Sequence, residues 1–145
     1  MSRLEEARVF RETFGQEILG NISQYGFIKK QLWNMQLDLI EEEAAEFLEA
    51  ADEVFADPEN NKRRQELLKE LSDLVFVCYQ FAAAFNLDLD EALRRVFESN
   101  MSKLDEHGKP IYREDGKVLK GPNYLPPDLS HLFPHSNTLY DTNGK

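Results

Sequence analysis

Residues 39 to 53, LIEEEAAEFLEAADE, read as helix, yet one glutamate stands where the helix should carry an apolar side chain. Advancing about 100° per residue from Ile40 places Trp33, Leu37, Ala44, Phe47, Ala51 and Val54 within about 60° of it. Glu43 falls at about −60°, inside that apolar stripe, and Glu46 one turn further at about −120°, on its edge. Glu42 and Glu49 point to the opposite side, where solvated charges belong. A second stretch repeats the device. In residues 65 to 81, QELLKELSDLVFVCYQF, a stripe of Leu67, Leu71, Leu74, Val77, Cys78 and Phe81 continues to Phe85. Glu70 lies within it, and Asp73 follows on the same edge.

An ionised carboxylate taken from water costs several kcal/mol unless it is compensated, and converging carboxylates repel one another. Either their pKa values rise or a cation sits among them. A single acid pair on a long helix is ordinarily a solvated face. Two pairs offset from the apolar stripe in the same sense, on helices joined by a short connection, favour a metal site. His107, His131 and His135 all lie in or near the tail, so the ligation is all-oxygen, which selects Mg²⁺ or Mn²⁺.

Outward from these stretches, the spacing predicts an amphipathic helix over 4–14, stopped by Gly15, and long helices over 29–56 and 59–85, broken between them at Pro58. Their short link makes them antiparallel neighbours. A fourth helix opens at Asp88 as N-cap, with Glu91 in the capping-box position, and frays before Gly108. IYREDGKVLKGPNY then carries a Asp-Gly hairpin signal, and LPPDL an extended segment. The expected fold is all-α: a four-helix-bundle-like antiparallel core with an irregular tail containing a hairpin. The expected division is a helical catalytic part, 1–105, and a tail, 106–145, serving the same domain as lid or oligomer contact.

The 145 residues are 41% hydrophobic and 30% charged, an ordinary globular composition long enough to bury a core. No apolar run spans a bilayer, the first ten residues lack the apolar region of a secretory signal, and the lone Cys78 reads as a small buried hydrophobe. A cytoplasmic protein with no membrane partner is expected. The formal charge of −10 argues against a nucleic-acid polymer as partner.

The acids also carry a resemblance. Glu42, Glu43 and Glu46, a 23-residue spacer, then Glu70 and Asp73 resemble the E-E-x-x-E, E-x-x-D pattern of the all-α NTP pyrophosphatases typified by MazG-like proteins. FRETFG near the start and SNMSKLDEHGKPIYREDGKVLKGPNYLPPDL near the end resemble the phosphoribosyl-ATP pyrophosphohydrolase-like subgroup, so the likeness covers most of residues 8 to 130. It implies that Glu43, Glu46, Glu70 and Asp73 ligate Mg²⁺, with Glu42 orienting water. Glu42 or Glu46 is the candidate to take the water's proton. Asn100 and Lys103 are implied at the substrate's phosphates, with Arg95 a weaker candidate of the same kind. Phe10, Phe14 and Trp33 can stack on a base, although aromatic residues at this spacing are more often core. Lys120, in the tail, can close over the site or grip a neighbouring subunit.

The implied reaction cleaves a nucleoside triphosphate, a deoxynucleotide by expectation, into monophosphate and pyrophosphate, in nucleotide-pool control or housecleaning. A homodimer or homotetramer is implied as well. Two alternatives stand beside it: a phosphoribosyl-ATP pyrophosphohydrolase of histidine biosynthesis, and a non-enzymatic helical interaction module with structural cations.

Overall fold

The computed structural model describes residues 1–19 and 30–132; the start expected for the second helix, at residue 29, lies outside them. The chain is mostly helical, with α1 Arg3–Thr13, α2 Lys30–Ala56, α3 Asn61–Ala84 and α4 Leu89–Met101. A small antiparallel hairpin follows, β1 Ile111–Tyr112 and β2 Val118–Leu119, with Ile111 opposite Leu119 and Tyr112 opposite Val118. By its contacts the described chain forms two compact units, 1–87 and 88–132.

In the first unit, Ser2 caps α1 in a complete capping box. Its hydroxyl accepts from the Glu5 amide at 3.2 Å, and the Glu5 carboxylate accepts from the Ser2 amide at 2.6 Å. The helix ends at Phe14, and Gly15 follows at φ +64°, the left-handed stop expected of glycine. Asn60 caps α3 through the Arg63 amide at 3.2 Å, directly after the Asp57–Asn60 turn. That turn returns α3 along α2, and α1 also packs against α3. Ala7, Ala82, Ala83 and Ala84 are almost wholly buried, so small side chains line the buried faces of α1 and α3. A cluster of Leu19, Leu32, Ala84 and Phe85, with Trp33, Phe81 and Leu87 against it, closes one end. Leu19 is held there by its amide on the Ala84 carbonyl at 2.8 Å.

The faces that α2 and α3 bury differ from the expected stripes. Leu32, Gln36 and Ala50 are the buried residues of α2, and all three share Glu43's side of the helix. Relative to Ile40 the buried arc is therefore turned by about 60° toward Glu43. Leu37 and Leu71, expected inside, are 41% and 40% exposed because they fall on the outer flank. Cys78 is half-buried, and burial raises its thiol pKa.

In the second unit, Asp88 caps α4 through the Glu91 amide at 3.1 Å. Glu91 lends its carboxylate to Arg94 and Arg95, at 2.6 and 2.8 Å. The hairpin loop is tied by Asp115, which accepts from the Lys117 amide at 3.1 Å and pairs with Arg113, and Gly116 takes φ +87°. Gly121 fits under the end of α4, where its amide meets the Lys103 carbonyl at 2.8 Å and a Cβ would collide with the Leu104 backbone. Among the described residues no helix is long and apolar enough to cross a membrane.

Candidate functional site

Antiparallel packing of α2 on α3 brings three of the four expected ligands together. One carboxylate oxygen from each of Glu43, Glu46 and Glu70 lies within 4.8 Å of the others. Glu43 and Glu70 are partly buried and Glu46 is exposed, so the cluster opens at its Glu46 side. Glu43 Oε2 and Glu70 Oε2 are shut off from solvent with no hydrogen-bond partner. Two buried anionic oxygens without donors are costly, and an all-oxygen set of this kind fits a hard divalent cation. Burial raises the Glu43 pKa, and the like charges of Glu46, Asp73, Glu70 and Glu42, in that order, raise it further.

Asp73 enters differently. Its carboxylate takes the Lys69 ammonium at 2.7 Å, and the same ammonium reaches Glu70 at 3.2 Å. Lys69 is thus a counter-ion built into the rim of the cluster, its pKa raised by Asp73 first and Glu70 second. The i, i+4 step from Lys69 to Asp73 was a sequence signal for this pairing. Glu42 stays on the exposed face, contributing to Glu43's field without joining the three.

The aromatic candidates divide. Phe14 is 65% exposed, with its ring 4.6 Å from that of Phe10, which in turn packs edge-on against Phe76 at 5.3 Å. Trp33 belongs to the core, against Phe81 and Phe85 at 4.9 and 5.0 Å.

Sequence periodicity carried one sign of a second polar locus in this unit: Gln36 falls at about −40° from Ile40, inside the apolar arc like Glu43. Arg11 is 1% exposed, Gln36 2% and Gln80 3%. The Arg11 guanidinium donates twice to the Glu17 carbonyl, at 2.7 and 3.0 Å, and to the side-chain carbonyls of Gln80 and Gln16, at 3.2 and 3.3 Å. Burial lowers its pKa, partly offset by Glu17. Gln36 Oε1 and Gln80 Nε2 are buried without partners. A long polar side chain at an inward position is the signal available in the sequence, but whether it is covered depends on packing.

The remaining candidates lie in the second unit. Asn100 is exposed and Lys103 half-buried, one turn apart at the end of α4. Arg95 bridges Glu91 and the Asp128 carbonyl, both at 2.8 Å, so its guanidinium already ties α4 to the following segment. Lys120 lies over the Tyr124 ring, 4.7 Å from its centre.

Residues 7–100 match the family model of the phosphoribosyl-ATP pyrophosphohydrolases. No curated protein matches the chain.

Proposed function

The chain belongs to the phosphoribosyl-ATP pyrophosphohydrolase family, and from that premise we propose that it is a Mg²⁺-dependent nucleoside triphosphate pyrophosphohydrolase acting on deoxynucleotides. The observation that carries this reading is the convergence of Glu43, Glu46 and Glu70 around two buried, donorless carboxylate oxygens. Glu43, Glu46 and Glu70 would hold the ion, and Asp73, now paired with Lys69, would be its fourth carboxylate. Bound Mg²⁺ neutralises phosphate charge and acidifies the attacking water. Mn²⁺ suits the same oxygen set.

The chain's own residues supply position and proton transfer. The open Glu46 side admits the phosphates, while buried Glu43 and Glu70 fix the depth at which the charge sits. Glu46 or the nearby exposed Glu42 takes the proton from water. Asn100 and Lys103 are the proposed phosphate contacts, a neutral donor and a cation one turn apart. Arg95 is a weaker candidate, since releasing it requires breaking its bond to Glu91. The products are a nucleoside monophosphate and pyrophosphate, and a role in nucleotide-pool control or housecleaning follows. A homodimer or homotetramer is supported by the large apolar side chains that α2 and α3 leave exposed, among them Leu48, Phe55 and Leu68.

Pyrophosphate release from each dNTP and NTP, and from phosphoribosyl-ATP, with Mg²⁺ or Mn²⁺ tests the proposal. Release from a deoxynucleotide, abolished in Glu43→Gln and Asp73→Asn, supports it. Release from phosphoribosyl-ATP alone assigns the chain to histidine biosynthesis instead. No release from any of these leaves only a helical module with structural cations.

A further inference from the structure

A pocket of about 490 Å³ opens between the end of α1 and the first half of α2, lined by Arg11, Gln16, Glu17, Leu32, Gln36 and Leu39 among others. Its volume is in the range of small-ligand sites, roughly 300–1,000 Å³, and its mixture of apolar wall and few convergent polar groups is typical of them. Gln36 is 98% covered, yet Oε1 has no donor, and a buried unsatisfied carbonyl is costly enough to require a reason. Arg11 beside it makes four hydrogen bonds among the described residues, and a guanidinium carries five N–H groups. Beside the pocket wall, therefore, an unpaired acceptor and a cationic donor lie just beneath the surface, within reach of a ligand once the side chains over them give way.

Position gives the pocket a role. Gln36 and Glu43 are seven residues apart on one face of α2, so about 10 Å of helix separates the pocket from the acid cluster. On the antiparallel α3, Gln80 stands seven residues beyond Asp73, and its side-chain carbonyl accepts from Arg11 at 3.2 Å. The two polar loci therefore succeed one another along the same helix pair. A nucleotide has the matching layout, with a planar base at one end and a phosphate chain at the other.

We propose that this pocket is the nucleobase subsite of the enzyme, and that it selects a base whose edge presents a ring N–H beside a carbonyl, as uracil, thymine and guanine do. The ring N–H donates to Gln36 Oε1. The carbonyl oxygen, a stronger acceptor for a cation than a ring nitrogen, receives the remaining N–H of Arg11. Adenine and cytosine lack a ring N–H beside a carbonyl, and they leave Gln36 or Arg11 unmatched. The apolar faces of Leu32 and Leu39 cover the ring. This inference rests on the nucleotide reading of the acid cluster, and its test separates the two.

The experiment pairs hydrolysis with metal-free binding, in wild type and Gln36→Met, a substitution of similar volume without the carbonyl. In hydrolysis, kcat/KM for dUTP, dTTP and dGTP exceeds that for dCTP and dATP by roughly tenfold or more, and the difference collapses in Gln36→Met. In binding, deoxyuridine is taken up by the wild type in preference to deoxycytidine, and the variant shows no preference. Thermal unfolding of Gln36→Met matches or exceeds wild type, because an unsatisfied buried carbonyl is replaced by an apolar group. If no nucleotide is cleaved but deoxyuridine binding depends on Gln36, the subsite stands and the enzymatic reading fails. If nucleotides are cleaved and neither assay distinguishes the bases, or Gln36→Met changes no preference, the subsite is overturned and the enzymatic reading survives.

Discussion

At the scale of single residues, Glu43 is an acid that works against its own fold. Its pKa is raised, so above its usual range the folded chain bears a charge that burial and four neighbouring carboxylates oppose. The stability contribution is therefore unfavourable at neutral pH and relaxes as pH falls. In metal-free protein Glu43→Gln raises Tm, by roughly 2–5 °C. The same variant loses pyrophosphate release by on the order of 10²-fold or more, because the removed charge is one the proposed ion needs. A variant that melts lower without metal contradicts the first expectation; one that retains activity contradicts the second. Lys69 makes the opposite case. Lys69→Met lowers the metal-free Tm slightly and reduces the Mg²⁺ concentration giving half of the Tm increase, by roughly two- to fivefold, as expected for removal of an exposed competing cation. Both groups were open to inspection in the sequence to different degrees. Glu43 was legible because a charge interrupts a 3.6-residue apolar pattern. Gln36, at about −40° from Ile40, interrupts the same pattern. Arg11 and Gln80 were not legible, since their burial is decided by α1 settling on α3, and no local pattern reports that contact.

At the scale of elements, the ends at Gly15, Asn60 and Asp88 were legible to within a residue or two because they are written in short-range chemistry, a positive φ and two caps. The end of α4, expected only somewhere before Gly108, falls at Met101 with no glycine or proline beside it to mark it. Ser2 and Glu5 show the same S-x-x-E signature at the start of α1. Which face each helix buries was less legible. An average over apolar positions centres α2 on Ile40, but the partner helix covers the flank that carries Leu32, Gln36 and Ala50. α4 offers a clean test of electrostatics. Arg94 and then Arg95 hold the Glu91 carboxyl down to about 2. A depressed carboxyl favours the folded state above its unfolded value, near 4.3, and that contribution disappears as pH falls toward 2. Glu91→Gln therefore removes part of the wild type's loss of Tm between pH 5 and pH 2.5. Equal acid sensitivity in both proteins would count against the pairing. In the segment after α4, Gly121→Ala lowers stability by about 1–3 kcal/mol, since the added carbon meets backbone that cannot turn aside.

At the scale of the whole molecule, the described chain leaves Phe55 88% exposed, with Leu48 and Leu68 above 60%. Such side chains on a protein of net charge −10 are consistent with the proposed self-association. Light scattering behind size exclusion checks this: the wild type elutes as a dimer or tetramer, and Leu48→Ser with Phe55→Ser shifts it toward monomer. A monomeric wild type removes the oligomer from the proposal. One further feature reaches across the first unit. Ala7 and the run Ala82 to Ala84 are the smallest side chains available short of glycine, and Arg11 sits one turn beyond Ala7 on α1. The depth of that arginine is inherited from the thinness of the helices around it. A bulkier residue in this buried run would push α1 and α3 apart, and under the proposed base subsite it would loosen the guanidinium from a distance, without any change among the side chains that line the pocket.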